Sequence, residues 1–149
     1  MKMYKSKLPE ILIKYKSGDL HRSKIKNSKD AEQVFKKMFD TDLIEWREEF
    51  IMLCMNRANN TISYYKVSTG GMTGVVVDPK IVFSVALTAG ASGLMFAHNH
   101  PSGNLDPSRA DLEITKRLVE GGKILGIDIL DHLIITTEGY YSFRDEGLI

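Results

Sequence analysis

The chain has 149 residues, of which 43% are hydrophobic, and this predicts one globular domain with a real core. It contains no apolar run of about 18 residues, and its charged N-terminus has no apolar signal core, so we expect neither a membrane helix nor a secretory signal. Cys54 is the only cysteine, which excludes an internal disulfide and a multi-cysteine zinc site and predicts a reducing, cytoplasmic setting.

Charge divides the chain into two parts. Residues 1–37 hold 11 Lys/Arg against 4 Asp/Glu, whereas the remaining residues hold 9 against 15. We therefore distinguish a basic N-terminal arm, residues 1–27, from a domain, residues 28–149. A basic arm could contact nucleic acid or an acidic partner. Its lysines are spread out with few aromatic residues among them, which favours a solvated arm.

The first half of the chain predicts one helix and two strands after a polar start. In order, we predict an extended or edge segment at 8–15, a polar loop at 17–26, a helix at 28–39 with Ser28 as its N-cap, a strand at 48–55 that is buried on both faces, a turn at 56–60 and a strand at 61–67. The glycine-rich connection at 68–74 lacks the lysine and the spacing of a phosphate-binding loop.

The second half predicts alternating helices and strands. We predict a helix at 79–88, a strand at 92–97, a helix from Pro107 to about Glu120, a strand at 127–135 and a last extended segment at 140–143. Asp106 is the predicted N-cap of the second helix, and Gly121-Gly122 its predicted end. The alternation indicates a mixed α/β class built around one sheet.

The stretch His98-Asn99-His100 follows a short apolar strand. Since side chains alternate along a strand, both histidines point to the same side. Asp111 and Ser108 are three apart near the start of the next helix and share one of its faces. Two imidazoles and a carboxylate match a catalytic zinc site with an open position for water. Such a site also needs a carboxylate base, for which the strand beginning at Glu48 is the best source, and an oxyanion donor, for which Ser108 is suitable.

Each of these residues also has an ordinary explanation. A His-x-His pair alone is a weak signal, Asp111 is a common first-turn acid, and Ser108 is a common early-helix residue. The letters HNH do not indicate an HNH nuclease. The residues that name that motif are scattered over some tens of positions, and the cysteine pairs that often brace such domains are missing here.

Together the residues resemble a known pattern. His98, His100, Ser108 and Asp111 fit His-x-His, seven residues, Ser, two residues, Asp, which is the JAMM signature of the JAB/MPN metallopeptidase superfamily. Four further runs resemble the RadC branch of that superfamily: His98–Gly103, Pro107-Ser108, Leu130-Asp131-His132 and Tyr141-Ser142-Phe143. The resemblance covers about residues 43–149.

The resemblance implies a curved β-sheet flanked by helices, the JAB/MPN-like (cytidine deaminase-like) architecture. It implies a Zn2+ ion held by His98, His100 and Asp111, with Ser108 supporting the tetrahedral intermediate. It also implies a glutamate acid/base two residues before Phe50, which is Glu48. The neighbouring Glu49 stays open as an alternative.

The implied function is a zinc-dependent metallohydrolase that acts on a peptide or protein through an amide or isopeptide bond, with the DNA-repair association of RadC-like proteins. The alternative is a metal-dependent DNA-processing enzyme or a DNA-binding accessory protein, for which the basic arm is the independent support. A binding module with a structural metal, or with none, is the third hypothesis. Asp131 and His132 point to opposite faces of their strand, so one of them could support the site, although a structural pair is the favoured interpretation.

Overall fold

The structure is a computed structural model that describes residues 7–14, 16, 22–71 and 74–149. This part of the chain contains eight helices and strands: α1 Ser28–Lys36, β1 Glu49–Met55, β2 Thr61–Thr69, α2 Pro79–Ala89, β3 Gly93–Asn99, α3 Arg109–Leu125, β4 Asp128–Ile135 and β5 Tyr140–Ser142. None of the helices in these ranges has the length and apolar character that a membrane span requires.

The strands form one mixed sheet in the order β2-β1-β3-β4-β5. β3 and β4 pair in parallel, and the other neighbours pair antiparallel. Parallel strands need a long crossover, and α3 supplies it between β3 and β4. The predicted mixed α/β class, with helices flanking one sheet, is confirmed.

The sheet separates two apolar cores. On the side of α2 and α3, here called the helix-pair face, Phe50 and Phe96 of the central strands pack against Val82, Phe83 and Leu118. On the side of α1, here called the single-helix face, Ile51, Leu53 and Ala97 pack against Ala31 and Phe35. Every residue of β1 and β3 is buried. This confirms the prediction that the strand after Glu48 is buried on both faces.

The N-terminal segment contributes little to either core. Residues 8–14 are exposed and belong to neither a helix nor a strand, so they are not an edge strand of this sheet. Ile25, in contrast, is 2% exposed and lies in the single-helix core, and the backbone N–H of Thr61 donates to the carbonyl of Ser23. Tyr15 and residues 17–21 of the predicted loop lie outside the described residues, as do residues 72–73 of the glycine-rich connection.

Helix α1 differs from its prediction at both ends. Its N-cap is Asn27, whose side-chain oxygen accepts from the backbone N–H of Asp30 at 2.9 Å, so Ser28 is the first helical residue. The helix ends at Lys36 and not at 39. The backbone N–H of Met38 bonds back to the carbonyl of Phe35, a tighter turn that closes the helix. Helix α2 begins at Pro79, as predicted.

Helix α3 also corrects two predictions. It begins at Arg109 with Ser108 as N-cap, not at Pro107 after Asp106, and it continues through Gly121-Gly122 to Leu125. A Cβ on Gly122 would lie 2.4 Å from the carbonyl oxygen of Ile127. A Cβ on Gly121 would lie 2.6 Å from the Phe83 ring. These glycines therefore allow Phe83 and Ile127 to pack closely against the helix. The helix ends at Gly126, which has a left-handed backbone conformation.

Candidate metal centre

Three side chains meet where β3 ends and α3 begins. Nε2 of His98 lies 3.0 Å from Nε2 of His100 and 3.3 Å from Oδ1 of Asp111. Nε2 of His100 lies 3.2 Å from Oδ2 of Asp111. One ligand atom from each residue lies within 4.8 Å of the others. The structure thus brings together the three residues that the sequence selects as metal ligands.

Local structure determines this convergence. His98 is in β3, and a turn with Gly103 at φ 81° reverses the chain after His100. Asp111 is the third residue of α3 and forms a capping box with Ser108. The backbone N–H of Ser108 donates to Oδ2 of Asp111 at 2.8 Å, and the N–H of Asp111 donates to the Ser108 hydroxyl oxygen at 3.1 Å. The cap therefore fixes the carboxylate as well as the helix start.

The protonation of the cluster follows from its surroundings. Burial raises the pKa of Asp111, but hydrogen bonds with His100 and His98 outweigh it and hold that pKa well below its usual range. Burial lowers the pKa of His100, but its bonds with Asp111 and with the Asn104 carbonyl raise it overall. Nδ1 of His100 donates to that carbonyl, so Nε2 is the nitrogen left for the cluster. The centre thus attracts positive charge.

The donor set fits a divalent metal ion. In a tetrahedral zinc site with ligands at about 2.0–2.2 Å, the ligand atoms are roughly 3.3 Å apart. The three contacts of 3.0, 3.2 and 3.3 Å are close to that spacing. Two imidazole nitrogens and one ionised carboxylate are also ligands that zinc accepts. His98, His100 and Asp111 could therefore hold such an ion.

Glu48 is the acid that faces the cluster. Its carboxyl group is half-buried and interacts electrostatically with His98, His100 and Asp111. Burial raises its pKa, and the Asp111 charge adds to this, while the two histidines oppose it; the net shift is upward. Its carbonyl accepts from the backbone N–H of Gly70 at 2.8 Å, which anchors this end of β1. Glu48 thus adds a carboxyl group with a raised pKa to the site.

Glu49, the first residue of β1, lies on the opposite face of the sheet from Glu48. It is 3% exposed, and its carboxylate forms ion pairs with Nζ of Lys66 at 2.7 Å and with the Arg47 guanidinium at 3.5 Å. Strand alternation places it with Ile51 on the single-helix face, away from His98. The carboxylate of Glu49, which the sequence leaves open as an alternative to Glu48, is therefore paired with two basic side chains.

Asn99 holds the segment that precedes β1. Its Oδ1 accepts from the backbone N–H of Glu49 at 2.8 Å, and its Nδ2 donates to the carbonyls of Ile44 and Arg47 at 2.7 and 2.8 Å. The side chain is fully buried. The sequence gives Asn99 no role. Alternation already places it on the face opposite His98, and only the fold reveals that it fixes the backbone on both sides of Glu48.

Asp131 and His132 have different surroundings. Oδ2 of Asp131 accepts from the Ser142 hydroxyl at 2.6 Å, and its Oδ1 accepts from the backbone N–H of Arg144 at 3.1 Å, so it fastens the C-terminal segment. Nε2 of His132 lies 2.7 Å from Nδ1 of His98. Burial raises the pKa of Asp131, and burial, together with the neighbouring His98, lowers that of His132. Asp131 therefore has the structural role that the sequence favours for the pair. His132, in contrast, contacts His98, a candidate metal ligand.

Two cavities lie at opposite ends of β3. One of about 280 Å³ opens beside His100 and is lined by residues of 44–45, 100–103 and 136–138. A larger one, of about 510 Å³, lies beside Gly93 and contains none of the cluster residues. The smaller cavity is therefore the one of these two that contacts the candidate metal centre, through His100.

Comparison with known proteins gives a consistent result. A family model described as RadC-like JAB domain matches residues 25–148. A UPF0758 protein of Flavobacterium johnsoniae is 47% identical over 129 residues, which are 87% of this chain and 55% of that protein. A UPF0758 protein of Methanosarcina barkeri is 40% identical over 116 residues, 78% of this chain and 51% of that protein. The chain spans about half the length of the curated relatives it matches.

Proposed function

Because the chain belongs to the RadC-like JAB domain family, we propose that it is a zinc-dependent hydrolase that cleaves an amide or isopeptide bond in a peptide or protein. One observation carries this proposal. Two histidine nitrogens lie 3.0 Å apart, each of them lies within 3.3 Å of one oxygen of an ionised carboxylate, and a second carboxyl group, that of Glu48, faces them.

His98, His100 and Asp111 would hold the ion, and a zinc site with three protein ligands keeps a fourth position for water. When bound, zinc would lower the pKa of a water molecule and polarise the substrate carbonyl. The same donor set is less suited to calcium or magnesium, which prefer oxygen ligands.

Glu48 would move the proton. Its carboxylate takes a proton from the attacking water, whose oxygen adds to the carbonyl carbon. It then returns that proton to the leaving nitrogen as the C–N bond breaks. A carboxyl group suits both steps when its pKa lies nearer to neutrality, and burial shifts the pKa of Glu48 in that direction.

Ser108 would stabilise the oxyanion. Its oxygen accepts from the Asp111 N–H in the helix cap, and this orients the hydroxyl while leaving its proton free for donation. Ser108 is exposed at the start of α3, so a substrate oxygen can reach it. A hydroxyl group held in this position would stabilise the negative charge that develops on the substrate oxygen during the reaction.

The first test is the metal content of the purified protein. We expect about one zinc per chain, loss of zinc in His98→Ala and Asp111→Ala, and hydrolysis that requires zinc in a screen of peptide and isopeptide substrates. Arg109→Ala, next to the cap but with an exposed side chain, is the matched control and should keep its zinc. Wild-type protein that binds no zinc would sink the proposal.

A second candidate function is the processing or binding of DNA, and the excess of basic residues in 1–37 is the observation that favours it. Binding through phosphate contacts should weaken steeply with salt. Neutralising the exposed Lys7, Lys14 and Lys16 to Gln should reduce both the affinity and this salt dependence. DNA affinity that these substitutions leave unchanged would count against the arm.

A further inference from the structure

A buried chain of hydrogen bonds connects two of the candidate ligands behind the metal centre. Nδ1 of His98 lies 2.7 Å from Nε2 of His132, and Nδ1 of His132 lies 2.7 Å from the Thr115 hydroxyl. That hydroxyl also bonds to the backbone carbonyl of Asp111 at 2.7 Å. The three side chains are at most 2% exposed.

The backbone carbonyl of Asp111, where this series of hydrogen bonds ends, determines which atom donates in each of them. A carbonyl only accepts, so the single hydroxyl proton of Thr115 goes to Asp111. The Thr115 oxygen must then accept from Nδ1–H of His132. His132 is fully buried among the rings of Phe50, Phe96 and Phe143, where an imidazolium would be costly, so the ring is neutral.

A neutral imidazole carries one proton, and this fixes the rest of the chain. With its proton on Nδ1, His132 offers a bare Nε2, which accepts from Nδ1–H of His98. In a neutral His98 with its proton on Nδ1, the nitrogen Nε2 carries no proton, and this is the atom that faces His100 and Asp111. A metal ligand must have this form.

We propose that His132 and Thr115 are positioning residues that hold His98 in the tautomer competent for metal binding. This inference rests on the metal site of the proposed function. Thr115 has a double role, because its hydroxyl both completes the hydrogen-bond chain and ties it to the backbone of Asp111, a second ligand. The histidine and the helix start are thereby fixed to each other.

The matched pair Thr115→Val and Thr115→Ser tests the proposal. Valine keeps the shape but removes the acceptor for Nδ1–H of His132. His132 then favours the tautomer with the proton on Nε2, which drives the proton of His98 onto its ligand nitrogen. We expect zinc affinity, measured by competition with a chelator, to fall about 10- to 100-fold in Thr115→Val and to stay near wild type in Thr115→Ser.

A second readout follows the tautomers directly. In metal-free protein, at a pH where both rings are neutral, nitrogen-15 NMR should find His132 protonated at Nδ1 in wild type and in Thr115→Ser, and at Nε2 in Thr115→Val. Ser142→Ala is the control for the loss of a buried hydroxyl group. Ser142 bonds to Asp131 and takes no part in the hydrogen bonds between His98, His132 and Thr115. This variant should change neither the zinc affinity nor the tautomer of His132.

Two results would overturn the inference: His132 protonated at Nε2 in wild type, or a Thr115→Val variant that keeps both wild-type zinc affinity and the Nδ1 tautomer. Failure of the proposed function has a separate signature. Wild-type protein that binds no zinc refutes the metal site, whereas the NMR comparison still decides whether the hydrogen bonds run in the direction inferred.

Discussion

Glu48 immediately precedes β1 and Glu49 is its first residue, yet the two faces of the sheet give them opposite surroundings. On the helix-pair face, Glu48 meets two histidines and another carboxylate at the accessible end of the sheet, and its pKa is raised. On the single-helix face, Glu49 is buried between Lys66 and Arg47. One face keeps a carboxyl group with a raised pKa beside the candidate metal centre, and on the other face two cations pair with the neighbouring carboxylate.

The difference lies in what covers each face. The helix-pair face is covered by α2 and α3, and the start of α3 brings Asp111 and Ser108 to the edge of the sheet beside His98. The single-helix face is covered by α1, whose apolar residues Ala31 and Phe35 supply packing and no chemistry. We therefore expect substitutions of the polar residues at the edge of the helix-pair face to affect turnover, and substitutions in the single-helix core to affect stability.

The largest expected effect is on turnover. Glu48→Gln should keep zinc and the fold but lower kcat about 10²- to 10⁴-fold, because the amide cannot carry the proton. Glu49→Gln, one residue away, should leave kcat near wild type. The measurement is kcat on the substrate identified by the screen, with zinc content determined in parallel. A loss of activity in Glu49→Gln alone would move the base to the other face.

Phe35→Ala should lower stability and leave the candidate metal centre intact. The ring is fully buried in the single-helix core, so truncation should reduce the free energy of unfolding by about 3–5 kcal/mol, as measured by urea denaturation. Zinc affinity of the folded fraction should not change. Leu87→Ala, at a side chain that is 57% exposed, should cost no more than about 0.5 kcal/mol. A Phe35 variant that folds normally but loses zinc would break the division between faces.

Ser108→Gly separates two roles on the helix-pair face. Glycine is a tolerated N-cap that costs only about a few tenths of a kcal/mol, whereas it has no hydroxyl to donate. We expect kcat to fall about 10²- to 10³-fold with nearly unchanged thermal stability. Ser108→Thr keeps both functions of the hydroxyl and should retain activity. Equal stability and equal kcat in the glycine variant would limit Ser108 to capping.

The smallest effect is expected at the Glu49 ion pairs. Lys66 is half-exposed, and Lys66→Gln should change stability by no more than about 1 kcal/mol. Arg47 still faces the carboxylate in this variant. Turnover should be unaffected because Glu49 lies away from the metal centre. Stability measured by denaturation at low and high salt should therefore differ less in the variant than in wild type.

Much of the candidate site could be predicted from the sequence because its spacing is local. His98 and His100 share a side through strand alternation, and Ser108 and Asp111 share a helix turn, so both pairs can be recognised without a fold. Thr115 was missed, although it lies four residues after Asp111 on the same helix face, which is a usable signal. His132 is 34 residues from His98, and nothing in their separation indicates that they touch.

The error at the end of α3 has a physical cause in tertiary packing. Gly121-Gly122 is a reasonable helix stop when local conformational preference alone is considered, and Asp106-Pro107 is a reasonable start. In the folded chain the glycines are needed because the Phe83 ring and the backbone of Ile127 approach the helix too closely for a Cβ. Tertiary packing overrides the local signal, since the cost of a clash exceeds the cost of glycine in a helix.

The sequence by itself determined the α/β class, the strand buried on both faces and the set of residues that could bind a metal, because periodicity and short spacings are properties of the chain alone. The tertiary structure decided which acid of the Glu48-Glu49 pair faces that set, what Asn99 fastens, and that His132 and Thr115 stand behind His98. These depend on which strands become neighbours, and burial and hydrogen-bond partners exist only once the sheet has assembled.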